Sequence, residues 1–270
     1  MQENVSRRKY KIDACVATDA GRIRVQNEDN FIFAGQMNET GASRLEFRRE
    51  LEMTQPVVFG VFDGMGGEAY GERASFLMAD TCQQYRLHAG YLKEDAKALC
   101  CIGNERVCRE EEQRKASMGT TASMIIFHEN ALICNVGDSP IYLYRGGMLY
   151  PIYEEHTERR LYEQLHMGEV LNKKQKYRLL QNIGMTEDDL VIQPYIDTVE
   201  LQDKDIFLIC SDGLTDMVGE AEIKNCLNSY GKRCASELVR LALEAGGRDN
   251  ITVICAGISQ LEQQREAEEI

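Results

Sequence analysis

Apolar runs of strand length recur along this chain, bounded by Gly, Asn and Asp: Ile12–Ala17, Phe31–Ala34, Val57–Phe62, Met124–Phe127, Leu132–Val136, Ile141–Tyr144, Ile206–Cys210 and Ile251–Ile258. They are rich in Val, Ile and Phe, which suits a pleated, buried surface. Arg145-Gly146-Gly147-Met148 reads as a hairpin turn between two short strands. Helical patterns come in groups. Residues 69–87 form one; residues 93–115 form another, with Leu99, Ile102 and Val107 as candidate buried positions; a smaller segment covers 158–182. Near the C-terminus Ala235, Leu238, Val239 and Ala242 repeat at i, i+3, i+4, i+7, the mark of a helix face. Grouped helices predict an α+β fold with mainly antiparallel sheets, not a doubly wound one. The polar stretch 36–55 reads as an extended loop or long hairpin. The Gln- and Glu-rich tail 260–270 reads as helix or disorder.

Composition narrows the function. The 270 residues are 43% hydrophobic, enough for a substantial core, and with 4 prolines and no Pro/Ser-rich linker they read as a single domain over 1–270, its core about 10–258. A net charge of −13 argues against nucleic acid and anionic membrane as partners, since both need a basic surface. No run of ~18 apolar residues is present for a membrane span. No apolar stretch follows the basic N-terminus, so no signal peptide is expected. The 10 cysteines are scattered without a CxxC pair, and Cys15, Cys134, Cys210 and Cys255 lie inside apolar runs. Reduced thiols in a cytoplasmic protein are the expectation, rather than a disulfide framework or a zinc site.

The chemistry lies where apolar strands end. Val61-Phe62-Asp63-Gly64-Met65-Gly66-Gly67, Asn135-Val136-Gly137-Asp138-Ser139 and Leu208-Ile209-Cys210-Ser211-Asp212-Gly213 each run from an apolar strand into an acidic residue followed by Gly or Ser. Gly246-Gly247-Arg248-Asp249-Asn250 reverses the order, and Glu28-Asp29 precedes the strand at Phe31. A single Asp-Gly is more often plain turn chemistry. Several such carboxylates, held by strand ends and approached through glycine, would repel one another without cations. An all-oxygen donor set selects Mg²⁺ or Mn²⁺ over Zn²⁺ or Cu²⁺.

These motifs, with Gly119-Thr120-Thr121-Ala122, Cys210-Ser211-Asp212-Gly213-Leu214-Thr215-Asp216 and Asp249-Asn250-Ile251-Thr252-Val253, resemble in order and spacing the type 2C metal-dependent serine/threonine phosphatases. The Asp-Gly-Met-Gly-Gly form resembles the bacterial branch, and the likeness runs from about Asp13 to Ile258. The resemblance implies a four-layer α-β-β-α sandwich, two antiparallel sheets flanked by helices. It implies two Mn²⁺ or Mg²⁺ ions with Asp63 bridging them, the Gly64 carbonyl on the second, and Asp212 and Asp249 on the first. Asp138 with Asp212 would serve a third metal, and Glu28 and Asp29 would orient metal-bound waters. Arg24 would grip the substrate phosphate. Phosphoserine and phosphothreonine would be hydrolysed by direct attack of a metal-bridging hydroxide, without a phosphoenzyme. Phosphorylated proteins, including a cognate serine/threonine kinase and its substrates, are the implied partners.

Some positions depart from the family pattern. Met65 stands where some members carry His, which leaves the leaving-group acid unassigned. Glu155 replaces Asp before His156, whose reading as a site residue or a structural one stays open. Pro140 replaces the Arg that normally follows Gly137-Asp138-Ser139. The segment of about 153–194 matches the family's flap and carries the basic run Lys173-Lys174-Gln175-Lys176, a solvated helix face or a contact for phosphopeptide. The rival reading is a phosphatase-fold module with weak or no catalysis, used for binding or sensing. It predicts loss of a core acid, whereas Asp63, Asp212 and Asp249 are all present.

Overall fold

The computed structural model describes residues 9–65, 70–167, 177–186 and 191–261. Its strands are β1 (Tyr10–Asp19), β2 (Asn30–Phe33), β3 (Arg44–Glu52), β4 (Val57–Phe62), β5 (Gly64–Met65), β6 (Gly119–Thr120), β7 (Ala122–Phe127), β8 (Asn130–Val136), β9 (Ile141–Arg145), β10 (Met148–Pro151), β11 (Tyr195–Glu200), β12 (Ile206–Cys210) and β13 (Ile251–Gln260). Its α-helices are α1 (Gly71–Gln84), α2 (Leu92–Arg114), α3 (Glu158–Gln164), α4 (Asp212–Thr215), α5 (Glu220–Tyr230) and α6 (Ala235–Glu244). One sheet has the order β10-β9-β12-β13-β1-β3 and the other β11-β8-β7-β4-β2, with β5 and β6 as a short ribbon. All the registers are antiparallel.

Alternation of side chains across each strand gives each sheet two buried faces. The inner faces meet in an apolar layer that includes Ile12, Val16, Phe59, Phe127, Phe207 and Ile254. Phe33, Phe59, Phe127 and Phe207 stack edge to face at 5.3, 5.6 and 5.1 Å, so the last contact crosses from one sheet to the other. On the outside, Leu77 and Met78 of α1 and Leu99 and Val107 of α2 cover Met124 and Ile126. Across the molecule, Ile223 and Leu227 of α5 and Leu238 and Val239 of α6 cover Leu208 and Val253. The layers therefore run α-β-β-α, as the resemblance implied. Among the described residues no helix is long and apolar enough to cross a membrane.

Several expectations need correction. Of the extended loop or long hairpin expected over 36–55, residues 44–52 form a single strand, β3, paired along nearly all of β1. As an edge strand β3 half-buries only Leu45, Phe47 and Leu51, too weak an alternation to stand out among its charges. The buried Asp13 carboxylate fixes that edge by accepting two hydrogen bonds from Arg48, at 3.1 and 2.9 Å, and an ion pair from Lys232 at 3.1 Å. The helix expected over 158–182 stops at Gln164. Residues 168–176 lie outside the described residues; within 177–186, Leu179 is bridged to Thr157 and Ile183 to Thr120. Ile102 points outward, unlike Leu99 and Val107. Helix α5 and strand β11 were not anticipated. Gln260 closes β13 rather than opening a tail; residues 262–270, Gly66-Gly67 and Lys173–Lys176 lie outside the described residues. The hairpin at Gly146-Gly147 is present, with φ of 58° and 81°, the left-handed pair that a tight two-residue β-turn needs.

Phe127 carries the contact between the two sheets and is fully buried. Phe127→Ala should cost about 3–5 kcal/mol in unfolding free energy by urea titration. A loss below about 1 kcal/mol would show that the sheets do not depend on this ring.

Candidate active site

The acidic residues singled out in the sequence fall at strand ends on one rim of the sandwich. Asp63 follows β4, Asp138 follows β8, Asp212 opens α4 directly after β12, and Asp249 precedes β13. Glu28 and Asp29 lead into β2. Arg24, Asp138, Asp212 and Asp249 line one cleft of about 840 Å³, together with Glu155, Thr157, Arg159 and Tyr177.

The Asp63 peptide and the Asp29 carboxylate are held by hydroxyl and backbone groups of their neighbours. The Thr121 hydroxyl accepts from the Asp63 N–H at 3.0 Å, the Thr121 N–H donates to the Asp63 carbonyl at 2.9 Å, and the Thr120 hydroxyl donates to that carbonyl at 3.0 Å. Asp29 is buried. Its Oδ2 accepts hydrogen bonds from Ser211 and Thr252, both at 2.7 Å, while its Oδ1 is a buried oxygen without a hydrogen-bond partner. Asn250 clamps the Arg24 loop: its Oδ1 accepts from the Glu28 N–H at 2.8 Å, and its amide donates to the carbonyls of Ala20 and Gln26 at 2.9 and 3.0 Å. Arg24 donates to Asp249 at 2.8 Å. Gly64 is where these segments crowd together. A Cβ there would lie 2.3 Å from the Gly71 carbonyl oxygen and 2.4 Å from that of Glu28.

The crowding shows in the electrostatics. Burial, reinforced by Asp29, Asp212, Asp138 and Asp249, holds the Asp63 carboxyl well above the ordinary carboxylate range. Burial pushes Asp29 up to about 7, against the pull of its two hydroxyl donors, with Asp212 and Asp249 adding to the rise. Burial also raises Glu28, aided by Glu72 and Asp249 and opposed by Arg24. Among the described residues no three His, Cys, Asp or Glu side chains form a ready-made ion cage. The carboxylates share a field rather than a common coordination point. The orphaned Asp29 oxygen and an all-carboxylate, all-oxygen donor set nevertheless fit hard divalent cations.

The sequence profile of the Protein phosphatase 2C family matches residues 14–164. The chain is 32% identical over 275 residues to the serine/threonine phosphatase stp of Listeria welshimeri, covering 93% of this chain and 97% of that protein. The chain belongs to the Protein phosphatase 2C family. It is also 31% identical to the protein phosphatase PhpP of Streptococcus pneumoniae, covering 92% of this chain and 98% of that one. The serine/threonine phosphatase PstP/Ppp of Mycobacterium tuberculosis superposes with a TM-score of 0.75 at 25% identity, over 92% of this chain and 99% of that one. A PstP catalytic domain solved in complex with two manganese ions gives 0.73 at 25%, over 93% and 99%.

Against the family pattern, His156 is a structural residue. Its N–H donates to the Gly137 carbonyl at 3.0 Å, and its Nδ1 accepts from the Gly137 N–H at 3.3 Å, so the turn before Asp138 is locked to the flap. Burial lowers its pKa, which keeps that nitrogen free to accept. Pro140 precedes β9, where a missing N–H is tolerated, and its carbonyl accepts from the Cys210 N–H at 3.1 Å. All ten cysteines are free thiols, and most are buried. Thr120, Thr121, Ser211, Asn250 and Thr252 lie within the sequence motifs, and the structure adds a supporting contact for each. The signal was there: Ser211 and Thr252 put hydroxyls in or beside strands that are otherwise apolar.

A test follows from Asp29. Its folded-state pKa lies above the unfolded value, so its contribution to stability is full below about pH 4 and is lost as pH rises through 7. In EDTA, Asp29→Asn should therefore unfold at higher urea than the parent at pH 8, by up to about 4 kcal/mol, and the gain should vanish by pH 4. A pH-independent difference would remove Asp29 as a titrating buried acid.

Proposed function

We propose that the cleft is the active site of a metal-dependent protein serine/threonine phosphatase acting on phosphoserine and phosphothreonine. The observation that carries this reading is the convergence of Asp63, Asp138, Asp212 and Asp249 from separate elements beside Arg24, with an unpartnered Asp29 oxygen behind them. Asp63, the Gly64 carbonyl, Asp212 and Asp249 would hold two cations, Mn²⁺ or Mg²⁺, and Asp138 with Asp212 a third. When bound, the cations supply the Lewis acidity that makes water a nucleophile at neutral pH and offset charge on the phosphate. The PstP catalytic domain solved with two manganese ions supports the pair of cations and manganese as their identity.

The remaining work belongs to side chains. Arg24 has a planar guanidinium that can take two phosphate oxygens at once, which places the phosphorus against the acidic cluster. Asn250 sets the position of Arg24 by tying down both ends of the Ala20–Glu28 loop. Glu28 and Asp29, at the cluster's edge, orient water through their oxygens. Thr120 and Thr121 keep the Asp63 peptide from turning. A non-catalytic module should have lost one of the core acids, and none is lost here. We read residues 1–270 as one phosphatase domain, because β1 and β13, the first and last strands of the described residues, pair along their whole length. A cytoplasmic setting with a serine/threonine kinase as counterpart, its substrates among the targets, fits the acidic surface and the free thiols.

Hydrolysis of p-nitrophenyl phosphate should require Mn²⁺ or Mg²⁺ and vanish in EDTA; a rate indifferent to chelation would sink the reading. Asp63→Asn should lose more than the 10–100-fold typical of residues one shell removed from a metal, with the fold intact by circular dichroism. Arg24→Ala should raise KM about tenfold and change kcat less, since the lost contact is to ground-state phosphate. An unchanged KM would take Arg24 out of phosphate binding.

A further inference from the structure

The arginines around the cleft differ in what they already hold. Arg22 donates through Nε to the Leu243 carbonyl at 2.8 Å. Arg24 is engaged with Asp249 at 2.8 Å. Arg159 pairs with Glu163, one turn along α3, at 3.2 Å. Arg248 also lines the cleft and is exposed, yet among the described residues it makes no hydrogen bond, ion pair or ring contact. Its stem is nevertheless placed. Gly246 has φ of +131°, and a Cβ there would lie 3.9 Å from Arg248 Cγ, 4.0 Å from its Nε and 3.9 Å from Met217 Sδ. The side chain thus runs along the Gly246 backbone beside Met217 as far as Nε, and the residue is exposed on the cleft wall, an arginine with a packed stem and a hydrated head.

The surroundings give that head its meaning. The other charged groups on the cleft wall are acids, Asp138, Glu155, Asp212, Asp216, Glu220 and Asp249, apart from the two engaged arginines Arg24 and Arg159. A peptide carboxylate entering such a cleft meets repulsion at nearly every position. Beside Arg248 alone it meets an uncommitted donor fork. Charge arranged this way selects by position, because attraction at one point is combined with rejection elsewhere. Arg248 is also the chain neighbour of Asp249, the residue that Arg24 holds, so it stands one residue from the group that fixes the phosphate-gripping arginine.

We propose that Arg248 is a specificity residue that selects phosphopeptides carrying an acidic side chain close to the phosphorylated residue. This rests on the phosphatase reading above. Arg248 takes no part in the chemistry; its guanidinium receives the neighbouring Asp or Glu while the phosphate lies against Arg24.

The test uses the full chain with Mn²⁺ and a set of phosphothreonine peptides, identical except for Asp or Asn scanned over the flanking positions. The readout is the ratio of kcat/KM for the Asp peptide to that for its Asn partner, which a general loss of fold or metal leaves unmoved. Wild type should favour Asp at one flanking position by about threefold to fivefold, the range of a solvent-accessible ion pair. Arg248→Ala should bring that ratio to one, Arg248→Glu should invert it, and Arg248→Lys should retain part of it. A ratio of one in wild type, or a ratio kept by Arg248→Ala, overturns the assignment. So does an equal loss on both peptides in Arg248→Ala with the ratio intact, which would mean that Arg248 binds the phosphate itself. Absence of turnover of every peptide by wild type would overturn the phosphatase reading instead.

Discussion

A buried carboxylate with half its bonding capacity unmet is the constraint on which the rest of this structure depends. Asp29 takes two hydroxyl donors on one oxygen and none on the other. Those hydroxyls come from Ser211, at the end of β12, and Thr252, in β13, whereas Asp29 itself leads into β2 of the opposite sheet. One acid therefore joins the two sheets at the rim where Asp63, Asp138, Asp212 and Asp249 emerge. The Thr252 hydroxyl is in turn 2.7 Å from that of Thr18, which accepts from Asn27 at 2.8 Å, so the polar contacts continue back to the Arg24 loop. A buried network of this kind is worth most when every member is satisfied, and here one oxygen is left for a cation or a bound water.

Concentrating negative charge at a rim opposes folding, and the fold counters it with dry apolar layers on both sides of each sheet. The phenylalanine stack from Phe33 to Phe207 ties the sheets together away from the acids. Peripheral acids are paired where they could be: Asp13 with Arg48 and Lys232, and Asp205, fully buried, with a two-pronged contact from Arg145 at 2.7 Å on each oxygen. Among the central acids, Asp249 pairs with Arg24 at 2.8 Å, while Asp63 is buried in the field of Asp29, Asp138, Asp212 and Asp249. Stability is given up where the site needs charge and recovered where it does not.

What could be read from the chain alone tracks how local the signal is. Val57–Phe62 and Ile206–Cys210 are fully buried or nearly so, and their boundaries coincide with β4 and β12, because a short continuous apolar run leaves little else to be. Strand β3 was missed because its partner is thirty-odd residues back and its half-buried Leu45, Phe47 and Leu51 sit among charges. Helix α5 was missed because only Ile223, Cys226 and Leu227 face the core. The acids of the site were legible because each follows or precedes such a strand. Their supports were not: that Asn250 reaches Ala20, Gln26 and Glu28 is a fact of tertiary structure with no local pattern.

The flap side of the cleft shows the same division between scaffold and selection. Its root is rigid. His156 accepts and donates around Gly137, Ile183 exchanges backbone hydrogen bonds with Thr120 at 2.9 and 2.8 Å, and Asn104 accepts from Gly184 and Met185 at 2.7 and 3.0 Å. Thr120 is also a support of Asp63, so the flap root and the acid cluster share a residue. Any displacement of the root is felt at the Asp63 carbonyl. Farther out, Glu155 and the buried helix cap Thr157 line the cleft just before α3, and Arg159 lines it from that helix of seven residues, which buries none of its side chains. Exposed positions such as Arg159 and Arg248 are free to vary without cost to the core, so partner choice belongs there, while the chemistry stays with the strand-end acids.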